Sequence, residues 1–424
     1  MAVSDPAEGV GAAVAPRMGP AEFVAFVALS LVAGAVAVDM MLPALLPLGE
    51  DFGLADSNRG QAVIAVFVLG VGASQLLFGP LSDRYGRRPL FIAGVLLLVA
   101  GSAAGALAQD FQALLVARLL QGIGAGAQRV VTFSVVRDLH AGPQMTRVMS
   151  LAMAVVLLEP IVAPLLGQLI LLFASWRWIV AAVAVVGGIS LGWALWRLEE
   201  SLPVARRRSL SPRSLAAAYR TVVRTRVAFV CMIVCGLVMG AHLGFLSSAQ
   251  AIFQRTFDAG LHFTPLLALV SLAMSAAAFA NARLVRRFGS AELIRAALYV
   301  LVTVSAVALV LAVAGRITLP VFLAVQTCNM FVFGMLLPNL TAMSMNPLDS
   351  IAGTASSMFG FVSMTVGALL GGLVGQFFDG TLRPVLGAYV ILGVTALLVL
   401  RHLGREEEAP IVQSTKNELT VSDC

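Results

Sequence analysis

Lysine is almost absent from this chain. Lys416 is the only one among 28 basic residues, and charged residues of every kind make up 12% of the 424 positions. Soluble domains carry about a quarter charged residues, so this sequence has too little charge to cover a water-facing surface of its length. Cysteine is scarce too, with four in all. Cys231, Cys235 and Cys328 lie in apolar runs and Cys424 is the last residue, a pattern with neither zinc spacing nor a disulfide framework. Cys231 and Cys235 share a helix face and read as small core residues. No phosphate-cradling loop of the GxxxxGK[ST] type occurs, which excludes ATP hydrolysis on this chain as an energy source. Residues 1–20 contain Arg17 as their one basic residue and lack the form of a cleavable signal.

Apolar residues are what the chain has in abundance, at 59% of positions with a mean hydropathy of +0.94. Runs of about 18 to 20 apolar residues, enough to cross a bilayer as a helix, recur along the whole length. They read as membrane spans rather than as buried helices of a soluble enzyme. The expected spans are 22–45, 59–79, 89–108, 112–136, 147–170 and 176–197, then 223–247, 262–282, 291–314, 318–338, 350–374 and 383–402. The organisation is a tail (1–21), a six-helix half (22–197), a basic linker (198–222), a second six-helix half (223–402) and a second tail (403–424). The run Glu406–Glu408 reads as solvated tail.

The basic excess, with a pI near 9.7, does not form the single patch that nucleic acid would need. Arginines sit in short loops between apolar runs. Arg84, Arg87 and Arg88, then Arg137 and Arg147, the linker arginines from Arg206 to Arg220, Arg283, Arg286 and Arg287, and finally Arg401 and Arg405 all fall on one side of the membrane. The other side receives Arg59, Arg177, Arg255, Arg316 and Arg383. The positive-inside rule then puts both termini in the cytoplasm. The loop Gly79–Arg88 after the second span is echoed by Ala282–Gly289 after the eighth, a weak internal repeat of the kind found in two-half carriers.

At these residues the chain resembles the major facilitator superfamily. Gly79-Pro80-Leu81-Ser82-Asp83-Arg84-Tyr85-Gly86-Arg87-Arg88 matches its G-x-L-x-D-R-x-G-R-[RK] signature. Ala117-Arg118-Leu119-Leu120-Gln121-Gly122 opens the fourth span as in its second motif, and Pro160, Pro164 and Gly167 follow its helix 5 antiporter motif. Val38-Asp39-Met40-Met41-Leu42-Pro43, Val136-Arg137-Asp138-Leu139, Ser175-Trp176-Arg177-Trp178, Ser247-Ser248-Ala249-Gln250 and Ala352-Gly353-Thr354-Ala355-Ser356-Ser357 are similar to the bicyclomycin and chloramphenicol resistance branch of drug:proton antiporters. The resemblance implies an all-α protein of twelve transmembrane helices in two pseudo-symmetric halves, alternating access and proton-coupled efflux. It further implies that Gly79, Asp83, Arg84, Gly86, Arg87 and Arg88 form a cytoplasmic gate, with Asp83 accepting hydrogen bonds from a helix N-terminus in the outward-facing state. Three positions depart from the branch pattern: Glu159 precedes the first helix 5 proline, Gln168 replaces a glycine, and Arg129 stands where a small residue is common.

Charge within a span is costly and therefore informative. Asp39, Arg118, Arg129 and Glu159 lie well inside the expected spans. Asp39 and Arg118 each sit about 9 Å from the outer end of their helices at a 1.5 Å rise per residue, so they are expected to pair, either as a proton-coupling group or as a fixed salt bridge. Arg129 and Glu159 are expected to form a second pair, with Glu159 read equally as a fold-stabilising partner, a second protonation site or a recognition site for cations. Polar candidates for the substrate cavity are Gln121, Gln250, Asn281, Gln326 and Asn329, beside Met239, Met274, Met330 and Phe361. His242 and His262 lie near the outer side, where a helix histidine is ordinarily a packing residue. The glycines Gly122, Gly124, Gly126, Gly371, Gly372 and Gly375 are expected to permit close helix packing. Pro160 and Pro164 are expected to bend the fifth helix, and Gly167 to ease the close contact that rocking halves need.

These readings converge on a secondary active exporter, multi-pass in the cell membrane (the inner membrane of a Gram-negative cell). It would exchange small drug-like molecules for protons, without cofactor or nucleic acid, driven by the proton gradient and functional as a monomer. A proton-coupled exporter of a sugar, amino acid or nucleoside is the alternative. A non-transporting sensor would need a signalling domain that neither tail supplies, and no nucleophile, base or metal cluster indicates an enzyme.

Overall fold

The computed structural model describes residues 18–54, 57–140, 142–207 and 212–401. The tail readings at 1–17 and 402–424, with Arg405, Glu406–Glu408 and Cys424, lie outside the described residues, as do Arg208, Ser209 and Ser211 of the linker.

Among the described residues, twelve long helices follow one another. The first half holds α1 (Pro20–Asp39), α2 (Ala62–Tyr85), α3 (Arg87–Ala106), α4 (Phe111–Leu139), α5 in two pieces (α5a Gly142–Val156, α5b Glu159–Leu171) and α6 (Trp176–Arg197). The second holds α7 (Arg226–Ala251), α8 (Phe263–Phe288), α9 (Ser290–Val313), α10 (Leu319–Met345), α11 (Ala352–Gln376) and α12 (Arg383–Arg401). No strand occurs among the described residues. Eleven of the spans pass a length-and-hydropathy test for crossing a membrane, with α4 the one left out. Its 29 residues reach about 43 Å, ample for a crossing. Arg118, Gln121, Gln128 and Arg129 lower its hydropathy, and α2 and α3 wrap it. The least lipid-like helix is thus packed against two neighbours along its length.

The packing is pseudo-symmetric. In the first half α2 and α3 both pack on α4, and α3 packs on α6. In the second, α8 and α9 both pack on α10, and α9 packs on α12. The halves meet through α2 against α11 and through α5b against α8, pairs related by the same two-fold exchange. The repeated loops match at the backbone. Gly86 (φ 102°, ψ 159°) joins α2 to α3, and Gly289 (φ 77°, ψ 161°) joins α8 to α9. Each ends one helix and starts the next in a region that side chains avoid.

Two helices break where two prolines stand four residues apart. Pro43 cannot donate to the Asp39 carbonyl, and α1 ends at Asp39; Pro160 cannot donate to the Val156 carbonyl, and α5a ends at Val156. Pro47 and Pro164 each remove a second bond along the same helix edge. Single prolines at Pro80 and Pro338 leave α2 and α10 continuous. After the break, α1 gives way to a 3-10 turn (Leu42–Ala44) and a short helix (Leu45–Asp51). The expected first span therefore ran six residues past the end of α1, while the expected fifth span, 147–170, matches the apolar stretch Arg147–Leu171 of a helix that starts at Gly142.

The expected basic linker, 198–222, overlaps a helix, Pro212–Arg224. Its Val222 is buried, and Tyr219 donates to the Leu76 carbonyl of α2 at 3.0 Å. Its arginines Arg213, Arg220 and Arg224 stay exposed.

The halves are joined by hydrogen bonds at the face opposite the termini. Asn58 Nδ2 donates to the carbonyls of Gln376 (3.3 Å) and Phe378 (2.6 Å), and Gln376 Nε2 returns a bond to the Asn58 carbonyl at 2.9 Å. Ser248 donates to Gln61 Oε1 at 3.4 Å and Thr264 to Gln168 Oε1 at 3.2 Å. This face is closed.

Candidate functional site

Both helix breaks deliver an acid. Asp39 is the last residue of α1 and Glu159 the first of α5b, and their carboxyl groups lie within hydrogen-bonding reach of each other. A carboxylate only accepts, so two such groups can bond each other only when one of them carries a proton. Glu159 is buried, and its Oε1 meets no N–H or O–H donor. Asp39 is half-buried, on the stripe of α1 that also leaves Leu29, Val32 and Val36 partly open. The pair therefore has one member sealed in protein and one on a partly open face.

The α5b backbone is brought there by Gly167. A Cβ at that position would fall 2.1 Å from the Met40 carbonyl oxygen, so only glycine lets α5b lie on the turn that follows Asp39. The contact is within the first half rather than between halves, where it was expected to act. The glycines of α4 and α11 do serve close packing: Gly122 faces the Phe67 carbonyl, and Gly371 faces α7 at Leu243 and Gly244.

The expected pairings of Asp39 with Arg118 and of Glu159 with Arg129 do not form. Arg118 is 1% exposed. Its Nε donates to the Val63 carbonyl at 3.2 Å and its Nη1 to Gln121 Oε1 at 2.5 Å. Its guanidinium carbon lies 4.6 Å from the centre of the Phe67 ring, and Nη2 has no partner. Gln121 Nε2 donates onward to Ser102 Oγ at 2.7 Å, and Ser102 to the Leu98 carbonyl, also at 2.7 Å. A buried guanidinium thus ends a neutral chain through α4 and α3. Arg129 is exposed, has no acidic partner among the described residues, and lies 6.0 Å from the Phe133 ring. Arg118 lies about level with Asp39 and is taken up by the acceptors of its own bundle; for Glu159 and Arg129 the reason is depth. Helix α5 starts at residue 142, which raises Glu159 to about 25 Å from the face bearing the termini, near Asp39 at about 29 Å and above Arg129 at about 15 Å.

Most of the expected cavity residues are engaged in bonds within their own bundle. Gln326 and Asn329 are fully buried in α10, where Asn329 Nδ2 donates to Gln326 Oε1 (3.2 Å) and Ser305 Oγ (3.3 Å). Asn281 accepts from Asn339 at 2.6 Å. Gln121 serves Arg118, as above. Of the five, Gln250 bridges the halves. Its Oε1 accepts from Leu46 N at 2.9 Å and its Nε2 donates to the Pro43 carbonyl. Met239 and Met330 are core, and His242 stacks on Phe333 at 4.1 Å between ring centres. His262 is exposed.

At the face bearing the termini, Asp83 bonds Arg87 Nη1 at 2.6 Å, while Arg87 Nε donates to Asp138 at 2.8 Å and Arg87 Nη1 to Ser82 Oγ at 2.6 Å. Arg84 is exposed over Tyr85, and Gly79 faces Ser357 of α11. Asp83 is thus held by Arg87, the first residue of α3, while the opposite face is closed. Sequence reasoning missed Glu200, which accepts from the backbone N–H of Arg87 (2.8 Å) and Arg88 (3.3 Å) and so caps α3. It also missed Glu22, which holds Arg197 at 2.7 Å. The Glu199-Glu200 pair directly after the sixth span was the available signal for the first.

Two symmetric bundles of membrane-crossing helices, closed on one face and carrying an acid pair at matched helix breaks, define a membrane carrier. A family model described as Major Facilitator Superfamily matches residues 26–372. A chloramphenicol resistance protein of Pseudomonas aeruginosa is 31% identical over 386 residues, 87% of each chain. A bicyclomycin resistance protein homolog of Haemophilus influenzae is 26% identical, covering 86% of this chain and 92% of the relative. The crystal structure of the human organic anion transporter MFSD10 superposes with a TM-score of 0.65 at 20% identity, covering 91% of this chain and all of the other. The chain belongs to the Major Facilitator Superfamily.

Proposed function

We propose that this protein is a secondary active efflux transporter that exchanges drug-like small molecules for protons by alternating access. The observation that carries the reading is the contact between Asp39 and Glu159. Two acids at a shared proton, one of them on a partly open helix stripe, can release or take up that proton as access alternates. Relatives named for resistance to chloramphenicol and bicyclomycin support drug-like substrates. Arginines concentrated at the face bearing the termini support a cytoplasmic placement of that face. The closed opposite face then faces outward. The protein works as a monomer, needs no cofactor, and draws on the proton gradient across the cell membrane, the inner one in a Gram-negative cell. Asp39 and Glu159 carry the coupling; Arg118 positions α4 against α2 and α3, and Arg129 stands apart as an exposed cation for substrate to meet. The test is proton release from inverted vesicles on addition of antibiotics, with Asp39→Asn as control.

A further inference from the structure

The paired prolines after Asp39 leave a specific defect. In a continuous helix the Pro43 carbonyl would accept from residue 47, but residue 47 is proline and has no N–H. Leu46 N, in the first turn of the short helix Leu45–Asp51, belongs to the amides that a helix start leaves without an intrahelical acceptor. Both groups are satisfied from the other half of the molecule by one side chain. Gln250, 2% exposed at the end of α7, donates its Nε2 to the Pro43 carbonyl and accepts from Leu46 N at 2.9 Å. A side-chain amide, with its donor and acceptor on adjacent atoms, can do both at once.

We infer that Gln250 is a positioning residue that couples closure of the outer face to the state of the Asp39–Glu159 pair, acting as a latch on the turn between residues 40 and 46. The inference rests on the alternating-access reading above. Opening the outer face must draw α7 away from this turn. That strands a carbonyl and an N–H in surroundings where unsatisfied backbone groups are costly, unless water replaces the amide. The same turn begins at Asp39, and α5b, which carries Glu159, rests through Gly167 on the Met40 carbonyl. A change in how the two acids share their proton therefore acts on the segment that Gln250 grips. The bonds of Asn58, Gln376 and Ser248 flank the latch without touching the turn, so losing Gln250 shifts the balance between states rather than abolishing closure.

The experiment places spin labels at Glu50→Cys and Arg383→Cys, exposed positions on opposite halves of the outer face. The background is the full chain with its four native cysteines replaced by serine or alanine, in lipid, and distance distributions are read by pulsed electron resonance. Gln250→Ala should raise the long-distance, outer-open fraction severalfold. Gln250→Glu keeps the acceptor for Leu46 N but loses the donor to Pro43, so it should lie between. Asp39→Asn should change that fraction less in the Gln250→Ala background than in the parent, because the two act through one turn. Should Gln250→Ala not fold, the near-isosteric Gln250→Glu carries the same comparison. An unchanged distribution in folded Gln250 variants, or strictly additive effects with Asp39→Asn, would overturn the latch. Should vesicles of the parent show no drug:proton exchange while the Gln250 variants still shift the distances, the transport reading fails and the latch stands.

Discussion

Asp39 and Glu159 meet because each sits beside a pair of prolines spaced four residues apart. Pro43 and Pro47 end α1 at Asp39, and Pro160 and Pro164 restart α5 at Glu159. The two irregular points of the first half are thus superposed in space, and the acids occupy them. In a membrane, interrupted helices are tolerated where they are buried or line a cavity, and ionisable groups there mark pathways for ions and protons.

Asp39→Asn should reduce drug-driven proton flux at least tenfold, while Glu159→Gln, which keeps a group able to share a hydrogen bond with Asp39, should retain part of it. The double variant should be no worse than Asp39→Asn alone, since the acids act as one unit. Proton flux in vesicles at matched protein levels checks this.

Arg129 and Glu159 should behave independently. Exchanging their charges in a double variant should recover nothing, and the coupling energy from melting of the purified proteins should stay below about 0.5 kcal/mol, the range for residues not in contact. Recovery of folding by the charge exchange would restore the pairing that the depth of α5 argues against.

Gly167→Ala should force α5b off the Met40 carbonyl. Overpacking of this kind costs about 1–3 kcal/mol, visible as a lower melting temperature. Exchange activity should fall further than stability does, since the displaced helix carries Glu159.

Arg118→Lys should not substitute for arginine. An ammonium cannot reproduce the fork that reaches both the Val63 carbonyl and Gln121 Oε1. Leaving either acceptor buried and unpaired costs about 1–3 kcal/mol. Thermal unfolding in detergent should show a loss of that order, and Gln121→Leu should lower stability as well by stranding the guanidinium.

The spans, their number and the two-half arrangement were legible because hydropathy runs report burial in lipid directly. Only α4 falls short by composition, and most of its polar side chains turn into protein. The repeated loop was legible to the level of one glycine, since Gly86 and Gly289 do the same backbone work. The pairing of the charges was not. For Glu159 it depended on depth, reckoned from the helix start at Gly142; for Arg118 it depended on the buried acceptors beside it, which hydropathy does not show. Gln250 was expected to line a cavity because a buried amide in a span looks the same from sequence whether it faces substrate or an orphaned carbonyl. Its role follows from the defect at Pro43 and Pro47, which lies over two hundred residues away in the chain.

The most direct test of the account follows the proton. Inverted vesicles containing the protein are energised to an acid interior, the gradient is followed with a pH-sensitive dye, and antibiotics including chloramphenicol are added one at a time. The account predicts that at least one compound dissipates the gradient in a dose-dependent way, and that Asp39→Asn vesicles with equal protein do not respond. Gradient loss that persists undiminished in the Asp39→Asn vesicles would contradict the assignment of coupling to the carboxyl pair. Silence across the panel would contradict drug:proton exchange and direct the search to metabolites.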